Sequence, residues 1–158
     1  MLDRLFGELV GEDKIRHRRP RMARVLKEAF VEARVFGFVE EKPEPFELPD
    51  LGISIKAPFG YQNGAYNLID GMQFGPDPSE ALEKAGKRAL EGALLWKQSK
   101  IHGPQKRLVV VGDFSDKPES FYDAVGEQLE KNEVRLYRLD NIAPLVEDIT
   151  QNASLHSN

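Results

Sequence analysis

The sequence contains no cysteine, and this absence removes several kinds of site at once. Without thiols the chain has no disulfide, no cysteine nucleophile and no thiolate metal site. It also lacks any apolar run close to the roughly 18 residues that a membrane-spanning helix needs. The N-terminus is acidic and charged early, unlike a secretory signal peptide. We therefore expect a cytoplasmic protein that does not enter a membrane.

Familiar cofactor and catalytic motifs are missing as well. No glycine pattern of the phosphate-loop or dinucleotide-binding type occurs. The three histidines, His17, His102 and His156, do not have a spacing typical of metal ligands. Neither Ser54 nor Ser115 lies in the sharp-turn motif that exposes a nucleophilic serine. The sequence therefore predicts no cofactor and does not support nucleophilic catalysis.

Acidic residues are absent from one segment, residues 14–27, which we call the basic segment. It carries seven Lys and Arg residues and His17. The net charge of −4 hides this asymmetry, because the rest of the chain has 15 basic against 26 acidic residues, a charge of −11. Pro20 is well placed to begin a helix, whose first backbone N–H groups suit a phosphate. The candidate binding residues of the segment are Arg16, His17, Arg18, Arg19, Arg21 and Arg24.

Two kinds of partner suit the basic segment. Nucleic acid is one, because Lys and Arg side chains neutralise phosphates. An acidic surface is the other, either on an acidic protein partner or on this chain's own acidic loop at residues 40–47. The sequence leaves both possibilities open.

Residues 51–74 predict a β-hairpin with a turn at Asn63-Gly64. Apolar and polar residues alternate on both sides of this dipeptide, which is the strongest short signal for a two-residue turn. Closing the hairpin there pairs apolar residues across one face, and this agreement predicts the register. The predicted pairs are Ile53 with Phe74, Ile55 with Met72, Phe59 with Leu68, and Tyr61 with Tyr66.

This register places Asp70 on the apolar face, opposite Ala57. A carboxylate in such a position must be paired, lie at the open end of a cleft, or be protonated. We interpret Asp70 either as a salt-bridged residue or as a functional acid. Asp113 is a second candidate, because it follows a run of valines that predicts a buried parallel strand. The alternative role for Asp113 is to cap a turn.

The rest of the pattern predicts an α/β protein. Residues 1–12 form an amphipathic helix, which would pack on the domain itself or join a second copy through Leu2, Leu5, Phe6 and Leu9. Residues 13–150 form a single domain, with helices near 20–35, 79–99, 118–131 and 141–149 and further strands near 35–39, 107–112 and 134–139. The hairpin and a right-handed parallel βαβ unit would share a central mixed sheet with helices on both faces. Residues 151–158 would be a flexible tail.

The order of these elements over residues 20–140 resembles the restriction-endonuclease-like core of the PD-(D/E)xK phosphodiesterase superfamily. Pro49-Asp50 matches the PD dipeptide, and Asp70 falls inside the next strand, where that family has its second acid. The resemblance implies two acids that hold a divalent metal beside the scissile phosphate, with a lysine two residues on. Here that position is Met72. The predicted register also leaves Asp50 about 23 Å from the point opposite Asp70.

Three functional hypotheses follow. The first is a catalytically degenerate or non-catalytic nuclease-like domain that binds nucleic acid or an acidic partner through the basic segment. The second is an active nuclease that uses Asp50 and Asp70 with Mg²⁺ or Mn²⁺, and with Lys56 or a helix lysine in place of the missing one. The third is a protein-interaction module that assembles through the N-terminal helix and the hairpin edge.

Overall fold

The computed structural model describes the backbone of residues 22–157 and the side chains of residues 22–151. The predicted helix of residues 1–12 and most of the basic segment lie outside the described residues. The described helices are α1 over 22–32, α2 at Pro78–His102, α3 at Glu119–Lys131 and α4 at Ala143–Ser157. The described strands are β1 at Glu40–Glu41, β2 at Phe46–Leu48, β3 at Ile53–Ile55, β4 at Phe59–Asn63, β5 at Ala65–Gln73, β6 at Lys106–Asp113 and β7 at Arg135–Arg138. Among these helices none is both long and apolar enough to cross a lipid bilayer.

The strands form a five-stranded mixed sheet and a separate two-stranded sheet, so the predicted α/β fold is confirmed. The large sheet has the order β1-β4-β5-β6-β7. Strands β4 and β5 are antiparallel, whereas β5, β6 and β7 run parallel to one another. Helix α2 connects β5 to β6 and α3 connects β6 to β7, as parallel neighbours require. Among the described strands, β2 and β3 pair only with each other.

Helices cover both faces of the large sheet. Helices α2 and α3 pack on one face, around Leu68, Met72, Leu108 and Val110. Helices α1 and α4 pack on the other face, around Phe59, Ile69, Val109 and Val111. Strand β6 is therefore buried on both sides, as its unbroken apolar run predicts.

The hairpin closes one residue away from the predicted register, which was wrong. The observed pairs are Phe59 with Ile69, Tyr61 with Asn67, and Asn63 with Ala65. Because side chains alternate along a strand, this shift turns the apolar residues of the two arms to opposite faces of the sheet. The prediction assumed one apolar face. Helices cover both faces, so either register would bury apolar side chains.

The first arm of the hairpin is also shorter than predicted. Ile53 and Ile55 pair with β2 in the small sheet, and only β4 pairs with β5. Pro58 has no N–H to donate to a ladder, and the chain departs from β5 there. Residues 70–73 of β5 consequently pair with β6 on one side, and no described strand pairs with their other side.

Residues 35–39, predicted to be a strand, form a 3₁₀ turn at Phe36–Phe38. Helix α1 ends with Arg34 in the left-handed region, at φ 63°, and the Val35 N–H donates to the Phe30 C=O at 3.0 Å. This arrangement is a Schellman cap, which reverses the direction of the chain. The β-branched and aromatic residues suit a strand, but the cap sends them into a 3₁₀ turn instead, in which Val35 and Val39 are buried and Phe38 is exposed.

Helix α2 contacts the sheet mainly through small residues. Its buried residues are Ala81, Ala85, Ala89, Gly92, Leu95 and Ser99. The apolar spacing of this helix in the sequence predicts a buried stripe that also includes Leu82 and Leu90, which is wrong, because these side chains are 49% and 61% exposed. The small side chains let the helix lie close to the sheet, and the larger leucines lie outside that contact.

Helix α4 is longer than predicted. We expected it to end at Ile149, with a flexible tail after residue 150, but the backbone is helical through Ser157. Leu145 and Ile149 are buried against the sheet. The sequence from 145 onward contains no glycine or proline, the residues that commonly end a helix.

Candidate functional site

A cleft of about 1370 Å³ lies beside the unpaired edge of β5. Its walls are the start of α1, residues 54–58 at and beyond the end of β3, the first turns of α2, and the end of β6 with the loop that follows it. The cleft exists because the β4–β5 ladder stops at the pair of Phe59 with Ile69. Beyond this pair, residues 56–58 and β5 separate, and the end of β5 faces open space.

Asp70 lies in this cleft and forms an ion pair with Arg88 of α2. Its Oδ1 also accepts a hydrogen bond from the Gly71 N–H at 2.9 Å. Arg88 in turn donates to Glu91 Oε1 at 3.1 Å, one helical turn along. All three side chains are at most one-fifth exposed. The guanidinium therefore neutralises two carboxylates in a partly buried place, which is the salt-bridged interpretation of Asp70.

Charged side chains satisfy the backbone along the open edge of β5. The Gly71 N–H donates to Asp70, as described above, and Lys84 Nζ donates to the Gln73 C=O at 2.7 Å. Just beyond the strand, Lys117 Nζ donates to the Gly75 C=O at 2.6 Å. Unpaired strand edges attract other strands, and charged side chains are a common protection against this. Asp70 and Lys84 thus protect the edge as well as line the cleft.

The lining of the cleft carries charges of both signs in nearly equal number. The cationic residues are Lys56, Lys84, Lys87 and Arg88, and the acidic residues are Asp70, Glu80, Glu91, Asp113 and Asp116. Asp113 has the turn-capping role, because its Oδ1 accepts a hydrogen bond from the Ser115 N–H at 3.1 Å. Lys56 and Lys87 are exposed at the walls. The cleft can therefore attract anions through these lysines, while Arg88 is engaged by its carboxylates.

The structure brings together two of the three predicted catalytic residues. Asp70 and Lys56 line the same cleft. Asp50 does not line it; it is exposed on the 3₁₀ turn Pro49–Leu51 before β3. Met72, in the position of the family's lysine, is buried in the core. Within residues 22–151, no three Asp, Glu or His side chains are grouped as a metal site would require.

Most of the predicted binding residues, Arg16, His17, Arg18, Arg19 and Arg21, lie outside the described part of the chain. Arg24 is described, and it is exposed on α1. At the end of the basic segment, Lys27 pairs with Glu41 at 3.4 Å and lies 5.2 Å from the centroid of the Phe36 ring. This ion pair joins the last residue of the basic segment to the acidic loop of the same chain.

The sequence analysis missed Arg88, although the sequence contains a signal for it. Arg88 lies seven residues after Ala81, three after Ala85 and seven before Leu95, so it shares their buried face. A cation on a buried face needs an acidic partner. Asp70, an acid on an apolar face, in turn needs a cationic partner. Considering the two anomalies together would have predicted the ion pair.

A second polar cluster, on the opposite face of the sheet, was also missed. Asp148 of α4 accepts hydrogen bonds from the Tyr61 hydroxyl at 2.5 Å and from Asn63 Nδ2 at 2.8 Å. Arg135 lies 3.4 Å from the same carboxylate. Burial and the neighbouring Asp148 carboxylate raise the pKa of Tyr61 far above its ordinary value. No local pattern predicts this cluster, because Asp148 lies 87 and 85 positions from Tyr61 and Asn63.

Comparisons of the chain with models of protein families, with characterised proteins and with solved structures find no match.

Proposed function

We propose that this chain is a nuclease-like domain that binds nucleic acid through its basic segment, at the mouth of the cleft. The main support is the position of α1, since Met22 and Ala23 line the cleft. The arginines at positions 16 to 21 immediately precede these residues in the sequence. A ligand of those arginines would therefore bind within a few residues of the part of α1 that lines the cleft.

Binding without cleavage is the version that the cleft supports best. In the nuclease mechanism implied by the resemblance, the strand acid holds a metal ion. Here the Asp70 carboxylate is engaged by Arg88 and by the Gly71 N–H. A metal would have to displace a guanidinium that also binds Glu91.

The test is the salt dependence of binding to duplex DNA and to single-stranded DNA and RNA, measured by fluorescence anisotropy. The variant Arg16→Ala/Arg18→Ala/Arg19→Ala removes three cations from the basic segment. A matched control, Lys97→Ala/Lys100→Ala/Lys131→Ala, removes three exposed cations from the surfaces of α2 and α3, away from the cleft. We expect the slope of log K against log salt to fall by about 2.7 on duplex in the first variant only, at about 0.9 per phosphate contact. An equal loss in both variants would contradict the proposal.

A specific observation also favours an acidic protein surface as the partner. Lys27 binds Glu41 of the acidic loop, so the end of the segment already recognises a carboxylate. In that case the chain would bind neither DNA nor RNA at low salt. An acidic polypeptide such as polyglutamate would then bind, and the arginine variant would abolish this binding.

Metal-dependent cleavage is a further candidate, because Asp70 and Lys56 share the cleft. Incubation of plasmid and RNA with Mg²⁺ or Mn²⁺ tests it directly. Cleavage that is lost in Asp70→Asn and kept in Asp50→Asn would establish a nuclease with a different metal site from that of the family. The cytoplasmic location and assembly through Leu2, Leu5, Phe6 and Leu9 stay predictions.

A further inference from the structure

We propose that the chain forms a homodimer in which the outer faces of two α2 helices pack antiparallel, with Leu90 at the two-fold axis. The partner on this face is therefore a second copy of the same chain. The proposal does not depend on nucleic-acid binding, because none of the residues that support it lines the cleft.

Exposed apolar side chains are the first sign that the outer face of α2 is an interface. Leu90 and Ile101 are 61% and 65% exposed, more than any other large apolar side chain in the described part of the chain. They are eleven residues apart, close to three whole turns, so both lie on one line along the helix. Ala85 and Leu95, on the inner face, are buried against the sheet. The outer face of a helix that packs by its inner face alone is normally polar.

Gly86 is the second sign, since no contact among the described residues requires a glycine there. Glycine weakens the interior of a helix relative to alanine. At Gly92, on the same helix, a Cβ atom would collide with Val134, whereas a Cβ atom at Gly86 would meet no atom within 4 Å. Gly86 and Ala93 lie on the same side of Leu90, four residues before it and three after it. Antiparallel pairing therefore brings Gly86 of one copy against Ala93 of the other, and the two small residues let the helices approach closely.

The charges on this face favour a second copy as the partner, in antiparallel orientation. Glu83 and Lys97 are exposed and lie seven residues before and after Leu90, so they continue its line. Neither forms an ion pair with another described residue. Antiparallel pairing places Glu83 of each copy beside Lys97 of the other, which gives two ion pairs. Parallel pairing would instead bring like charges together at both positions, which is unfavourable.

Sedimentation equilibrium of the full chain tests the dimer. One pair of helices is a small interface, so we expect a Kd of about 1–100 µM and measure over that range. Leu90→Glu places two carboxylates at the two-fold axis and should raise the Kd at least about tenfold. The matched control, Val31→Glu, changes a side chain that is 54% exposed on α1, on the other face of the sheet, and should leave the Kd unchanged. A chain that stays monomeric over the whole range, or an equal effect of the two variants, would overturn the proposal.

Exchanging the two charges tests the antiparallel orientation. Glu83→Lys and Lys97→Glu each create two like-charge contacts in the antiparallel dimer, and each should raise the Kd at least about fivefold. The double variant Glu83→Lys/Lys97→Glu restores opposite charges, so its Kd should return to within about twofold of the original. Because Lys97 also belongs to the control of the DNA-binding measurement, that control is repeated in the monomeric Leu90→Glu background. Single variants that leave the Kd unchanged, or a double variant as weak as the singles, would overturn the antiparallel dimer.

Discussion

Replacing Arg88 with methionine should destabilise the protein strongly, because it leaves two acids in the cleft without their cation. Asp70 and Glu91 are 19% and 17% exposed, and both bind the Arg88 guanidinium. Removing one partner of a buried ion pair costs about 3–5 kcal/mol. The cleft opens to solvent, so we expect the lower end, about 3 kcal/mol. Methionine keeps most of the aliphatic length, so the loss reports mainly on charge.

Urea and thermal unfolding, followed by circular dichroism, measure this loss. With a urea dependence of about 2 kcal/mol per molar, 3 kcal/mol lowers the midpoint by about 1.5 M. The same loss lowers Tm by roughly 6–12 °C for a chain of this size. The control is Lys131→Met, because the Lys131–Glu127 pair on α3 is 67% and 71% exposed. Its expected cost is below about 1 kcal/mol.

A second substitution separates the ion pair from other effects of position 88. In Arg88→Met/Asp70→Leu both members of the pair become apolar, and such replacements of buried pairs are often neutral. We expect the double variant to be more stable than Arg88→Met alone, by at least about 1 kcal/mol. Equal losses in Arg88→Met and Lys131→Met, together with additive effects of the two cleft substitutions, would refute the pairing.

Two further predictions concern the other parts of the fold. Gly60→Ala should cost about 1–3 kcal/mol, because a Cβ there would lie 2.7 Å from carbons of the Tyr66 ring; Gly37→Ala, where no atom lies within 4 Å, is the control in the same thermal unfolding assay. Tyr61→Phe should cost about 1–3 kcal/mol at neutral pH, because Asp148 loses a hydrogen bond in a part-buried place. The folded state raises the pKa of Tyr61 above its unfolded value of about 10. Stability from this group is thus complete below pH 10 and is lost above it, and Tyr61→Phe should lessen that alkaline loss in unfolding titrations.

The fold class was predictable because its sequence patterns extend over many residues, and one misassigned residue does not change them. The run of valines before Gly112 predicted a buried strand, and β6 is covered on both faces. The spacing of small residues predicted α2 facing the sheet. These patterns repeat over many residues, so one misplaced side chain does not change the outcome.

The hairpin register was not predictable from alternation alone. Alternation selects a register only where one face of the sheet is polar, and here helices cover both faces. Tyr66 packs over Gly60 in the observed register, and this contact depends on tertiary packing rather than on pattern. The turn lies where the dipeptide predicted it, with Gly64 at a φ of 69°, but the predicted two-residue turn was wrong, because Asn63 belongs to β4 and pairs with Ala65.

The candidate site was predictable only in part. Asp70 was singled out because an acid on an apolar face is a local anomaly. Its partner Arg88 lies on another element, and the cleft depends on where the chain leaves β5 after Pro58. The cleft therefore has no signature within a window of sequence, whereas Arg88 is visible in the sequence as a cation on the buried face of α2.

The most direct test of the proposed function is the salt dependence of the affinity of the unaltered full chain for duplex DNA. If four or more arginines of the basic segment contact phosphates, the slope of log K against log salt is about −3.6 or steeper. A slope near zero, or no binding at about 50 mM salt, would contradict the proposal that this segment binds nucleic acid.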